Sequence, residues 1–200
     1  MAVELGVQIQ DKAVQAAMEQ VRLALPLRGD MTPAMRDLAR VLKAGAQMRF
    51  RQQVGPDGQA WKPSRRVSGS GGQTLSLSGR LRRSLTTAAD RKSATVGTNV
   101  AYAAIHQFGG VIRAKKGPFL SIPVTDAARA AGSPRAFPGE LKVAQTLKGQ
   151  FILVDANGVT QYLLRRSVTM PERPFLGASQ ADRKALLATM ARHLETAWRR

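Results

Sequence analysis

The chain has 200 residues, 44% of them hydrophobic, which suffices for one compact domain or one domain plus an extension. Its 31 Lys and Arg against 13 Asp and Glu leave a formal charge of +18, so an anionic or acidic neighbour is expected to offset the self-repulsion. Cysteine is absent, which excludes a disulfide framework, a thiolate metal site and a cysteine nucleophile.

Met1-Ala2-Val3-Glu4 lacks the basic patch and apolar run of a leader, and no stretch approaches the ~18 apolar residues of a bilayer span, so a soluble protein made in a cytoplasm is expected. Val3, Leu5, Val7 and Ile9 alternate with polar residues and glycine, the period of a half-buried strand. Asp11 stands at a helix N-cap position. Val14, Met18, Val21 and Leu25 follow at helical spacing until Pro26 and Gly29. Thr32-Pro33 opens a second helix with Met35, Leu38, Leu42, Ala46 and Phe50 on one side and basic residues on the other.

Residues 55 to 74 read as a loop, with 64–73 flexible because Ser and Gly dominate it. A short helix is expected through Leu77, Leu81 and Leu85, then strands at Thr86–Ala89 and Ala94–Thr98. A turn leads on into 102–108. Beyond Gly109-Gly110 the pattern predicts strands at 119–124, 141–147, 150–155 and 159–165. The last two flank Ala156-Asn157-Gly158, and Asn-Gly between β-rich runs is a strong hairpin signal. Ser179 and Asp182 form a capping-box pattern for a final helix carrying Leu186, Leu187, Met190, Leu194 and Trp198 on one face. This order predicts an α+β fold in a single domain over 1–200, with helices on one face of a mostly antiparallel sheet. Residues 115–150 are expected to project as an insertion or arm, because the stretch 127–139 within them is poor in large apolar side chains.

Catalytic chemistry finds few residues to work with, and no enzyme activity, cofactor or metal is expected. The carboxylates stand apart in sequence, and His106 and His193 have no partner at ligand spacing. The glycines at 69–72 lack the Gly-Lys-Ser/Thr of a phosphate loop, and Leu-Ser-Leu-Ser-Gly at 75–79 does not match a nucleophile elbow. Between Gly58 and Thr125, eleven basic residues face the single acid Asp90. From that interval Arg80, Arg82, Arg83, Lys115 and Lys116 are candidates to meet DNA or an acidic partner. No sequence-specific DNA-reading motif is present, and aromatics at 5% are too few for a base-stacking RNA module.

The run V-G-T-N-V-A-Y-A-A-I-H-Q-F-G-G at 96–110 resembles the phage virion morphogenesis family of Mu-like phages and prophages, related to tail completion proteins. Three further islands are similar to that family: F-R-Q-Q-V-G-P-D-G-Q-A-W-K-P at 50–63, L-S-G-R-L-R-R-S at 77–84 and R-P-F-L-G at 173–177. The resemblance implies a tail-terminator-like fold and a virion structural protein of the neck, working as a homo-oligomeric ring, hexameric by analogy. Its implied partners are further copies of itself, the tail tube protein, the head-side connector and packaged DNA in the lumen. Trp61, His106, Phe108, Gly109 and Gly110 are the motif residues expected to serve structure, with Trp61 and Phe108 mainly in the core. Arg173, Phe175, Asn157 and Gly158 are interface candidates. A transient assembly factor and a non-specific nucleic-acid-binding protein are the competing readings.

Overall fold

The computed structural model describes residues 5–6, 12–24, 30–115 and 117–198. In chain order the elements are β1 (Leu5–Gly6), α1 (Lys12–Ala24), α2 (Thr32–Gln52), α3 (Arg65–Ser70), α4 (Arg80–Arg83), β2 (Thr86–Ala89), β3 (Ala94–Thr98) and α5 (Ala103–Phe108). They continue with β4 (Gly110–Arg113), β5 (Leu120–Pro123), α6 (Asp126–Ala131), a 3-10 turn (Pro134–Ala136), β6 (Lys142–Gln145), β7 (Phe151–Val154), β8 (Thr160–Arg165), β9 (Ser167–Met170) and α7 (Gln180–Trp198). The fold is α+β, and among the described residues the strands all pair antiparallel and divide among three sheets. Of the first predicted strand only Leu5 and Gly6 are described, paired with Thr98 and Gly97. The Asp11 cap and the Pro26 and Gly29 stop lie outside the described residues.

The chain forms two compact units, one of residues 1–109 and 171–200 and the other of 110–170. In the first, α2 is the central element. Its apolar stripe Met35, Leu38, Leu42, Ala46 and Phe50 is buried, as helical spacing predicts, and it packs against β2, β3 and α7. Gln53 ends the helix in the left-handed region, its N–H on the Arg49 carbonyl. Phe50 meets Trp61 edge-on at 5.4 Å and Phe175 at 5.3 Å, an aromatic cluster at the base of the core. The capping box of α7 is complete: Ser179 Oγ accepts from the Asp182 N–H, and Asp182 Oδ2 accepts from the Ser179 N–H.

Several elements depart from the sequence expectation for local reasons. The stretch 64–73 contains α3, started by Ser64, whose Oγ accepts from the Val67 N–H. The helix expected from Leu75 through Leu77 begins only at Arg80, because Leu75 (φ 60°) and Gly79 (φ 66°) sit in the left-handed region and break the run. Leu77 is 74% exposed as a result, while Leu81 and Leu85 are buried. On α7, Leu186 and Met190 are buried but Leu187 lies at the exposed margin.

The second unit begins and ends in the β4–β9 ribbon, where Gly110 pairs with Met170 and Arg113 with Ser167. Neither strand stands out in the sequence. Its main sheet runs β5-β8-β7-β6, with the Asn157-Gly158 hairpin joining β7 to β8 as predicted. Inside the segment read as strands, α6 is capped by Thr125 and holds Tyr162, whose hydroxyl donates to the Ala128 carbonyl at 3.0 Å. Among the described residues Ala128, Ile152 and Tyr162 are its buried hydrophobic residues.

Candidate functional site

Two of the motif islands, 50–63 and 96–110, converge in the first unit on a third, the segment Arg173-Pro174-Phe175-Leu176-Gly177. The indole N–H of Trp61 donates to the Pro174 carbonyl at 3.0 Å. Gln107 clamps the next two residues: its Oε1 accepts from the Phe175 and Leu176 N–H groups at 3.0 Å, and its amide nitrogen donates to the Leu176 carbonyl at 3.1 Å. Arg173 gives its N–H to the His106 carbonyl and its Nε to the Lys62 carbonyl. Sequences far apart in the chain are thereby tied at one backbone segment, and buried polar groups find partners there rather than water.

Arg49 completes this hub from α2. Its guanidinium forms an ion pair with Asp182 at 2.6 Å, donates Nε to the Phe175 carbonyl at 3.1 Å and reaches the Gly177 carbonyl with its remaining nitrogen. Asp182, already the cap of α7, therefore links both long helices. Gly45 lies one turn before Arg49, where a Cβ would collide with the Asp182 carboxylate, so the close approach requires glycine. A shallow pocket of about 400 Å³ opens beside the pair, lined in part by Gln52, Asp57 and Gln180. Since all three guanidinium nitrogens of Arg49 are engaged, this cation acts in structure. Among the described residues no group of three or more His, Asp or Glu side chains could hold a metal ion.

The residues singled out from sequence separate by environment. Trp61 is buried, but Phe108, expected mainly in the core, is 62% exposed at the end of α5. The reason is that α5 turns Ala103 and Gln107 inward, which leaves Phe108 on the outer side. Phe175 is fully buried and Arg173 is 3% exposed, so these two interface candidates lie within the hub. Gly109 (φ 67°) and Gly110 (φ 135°) take the chain from α5 into β4 through conformations that side chains disfavour. His106 is half-buried, packs edge-on against Tyr102 at 5.8 Å, and has no partner for Nδ1. Burial, helped by the Arg173 cation, holds its pKa below the usual histidine value.

Of the basic candidates, Arg80 is exposed and Arg82 half-buried. Arg83 is exposed but donates to the Ser78 carbonyl at 2.7 Å. Lys115 is exposed in the second unit, and Lys116 lies outside the described residues. Asn157 and Gly158 are exposed at the β7–β8 turn. There the Asp155 carboxylate accepts from the Val159 and Asn157 N–H groups and from Gln161, bonds that hold its pKa low. Sequence reasoning missed Arg49 and Gln107. Arg49 had a usable signal, a charged residue within the apolar spacing of α2, whereas Gln107 has none.

A model of the phage virion morphogenesis family matches residues 9–134. The chain belongs to the phage virion morphogenesis family. Its role is therefore in the making of a phage virion, and the family match takes in Arg49, Trp61 and Gln107 but stops before the 173–177 segment that they hold. No curated protein and no solved structure matches the chain. Among the described residues no helix is long and apolar enough to cross a membrane.

Proposed function

We propose that this member of the phage virion morphogenesis family is a tail completion or tail terminator protein at the head–tail junction, working as one subunit of a homo-oligomeric ring. The family match over residues 9–134 carries the reading. Two further features support it. The formal charge of +18 is tolerable in an assembly where DNA or an acidic rim neutralises it. Exposed cations such as Arg80 and Lys115 are free to serve that contact. The work is geometric: subunits joined head to tail close a ring that caps the tail tube and presents a docking face to the head-side connector, without open-ended growth.

The test is an infection that lacks this protein, with particles imaged and purified wild-type virions quantified by mass spectrometry. Heads and tails that remain unjoined, or tails of abnormal length, together with a few copies of the chain per wild-type particle, are the expected result. The same defect with no copies in the virion would assign a transient assembly factor instead. Normal particles would remove the reading altogether.

A further inference from the structure

The second unit leaves several large apolar side chains open at one end of its main sheet. Val143 is 67% exposed, Phe151 40%, and Leu147, on the turn between β6 and β7, is completely exposed. All three belong to the β6–β7 hairpin at one end of the sheet β5-β8-β7-β6. The two outer edges of that sheet differ. Proline closes β5 at Pro123, with Pro118 just ahead of it, and proline on an edge strand discourages further pairing. β6 reads Lys-Val-Ala-Gln, with no proline and no bulge in its pairing to β7.

The hydrogen-bond phase of β6 shows which groups face out. The Thr146 N–H donates inward to the Gln150 carbonyl at 2.9 Å. Alternation along an antiparallel strand then turns the N–H and C=O groups of Val143 and Gln145 toward the open side. We propose that this edge pairs with β6 of a second copy of the chain, antiparallel about a two-fold axis at Ala144. In that register Val143 and the second copy's Gln145 form a hydrogen-bonded pair, and symmetry repeats it.

The residues flanking β6 favour the second copy as occupant. The stretch Glu140-Leu-Lys-Val-Ala-Gln-Thr-Leu-Lys148 is complementary to its own reverse. Centred on Ala144, the paired strands end where Leu141 comes near the turn that carries the second copy's Leu147, with Glu140 within side-chain reach of the second copy's Lys148 on that turn. Lys142 then faces Thr146, so no like charges stand opposite one another. Glu140, Lys142 and Lys148 are all exposed. An isologous pairing consumes both open edges and ends there, which removes an aggregation hazard. It goes beyond the ring reading, because ring closure uses head-to-tail contacts and a two-fold contact does not.

The experiment is sedimentation of the full-length protein over micromolar to sub-millimolar concentrations. A reversible dimer is expected, and it tightens on adding salt, since screening of the net positive charge sets in over about 10 Å at 0.1 M. Gln145→Pro blocks an outward N–H without touching the inward ladder, so a folded monomer by circular dichroism is the expected outcome. Glu140→Lys is expected to weaken the dimer by about tenfold, by setting Lys against Lys at both ends of the pairing. Combining it with Lys148→Glu restores affinity, a rescue that a merely structural role for either residue would not produce. A wild-type chain that stays monomeric overturns the proposal. So does a dimer or ring that survives Gln145→Pro unchanged, and a surviving ring would leave the ring reading standing by itself.

Discussion

Arg49 holds a charge at a position where the spacing of α2 calls for an apolar side chain, and the fold accommodates it by supplying Asp182 and two carbonyls. Removing the cation would leave a buried carboxylate without its counter-charge. Arg49→Met is therefore expected to destabilise the protein by about 3–5 kcal/mol, read as a lower urea midpoint. His106 gives a pH signature. Its folded pKa lies below the unfolded value of 6.5, so the unfolded chain takes up the proton first and stability falls as pH drops through that region. Asp37 acts in the same direction at lower pH: burial works to raise its pKa, but hydrogen bonds from His193 and Arg40 hold it below the usual value. Denaturation at pH 7.5 and at about pH 5.5 should show the loss, and His106→Leu should flatten the slope between them.

At the scale of elements, the segment before α7 is held without secondary structure of its own. Gln107 of α5 supplies what a neighbouring strand would, accepting from two successive N–H groups and donating to a carbonyl. Gln107→Leu keeps the volume and removes every one of these bonds, leaving buried backbone groups unpaired. The expected cost is about 2–4 kcal/mol, together with faster amide exchange at Phe175 and Leu176 by NMR. By contrast, Leu77→Ser should change stability by less than about 0.5 kcal/mol, since the left-handed residues at 75 and 79 have already turned that leucine to solvent.

At the scale of the whole molecule, the hydrophobic cluster around α2 draws only on residues of the first unit. The second unit enters and leaves through one ribbon in which Arg113 faces Ser167. Replacing residues 114–166 by Asn-Gly would close that ribbon as a short hairpin in its native register. The shortened chain is expected to fold, with a urea midpoint close to that of the intact first unit and its amide spectrum preserved. Failure to fold would mean that the first unit depends on the second.

Much of the fold could be read without coordinates. The stripe of α2, the capping box of α7, the strands at 86–89 and 94–98 and the Asn-Gly hairpin each depend on neighbours a few residues apart, and such periods and caps are visible in the chain. The motif islands likewise resemble the virion morphogenesis family, to which the family match assigns the chain. What lay beyond reach was every feature built from distant partners. The role of Arg49 needs residues more than 120 positions away, the Gln107 clamp joins α5 to a segment 68 positions on, and Arg173 is held by the carbonyl of Lys62, 111 positions before it. Local sequence determines which elements form, because backbone propensity and side-chain period act over a few residues; which polar groups end up buried together is decided only when the chain closes on itself and excludes water.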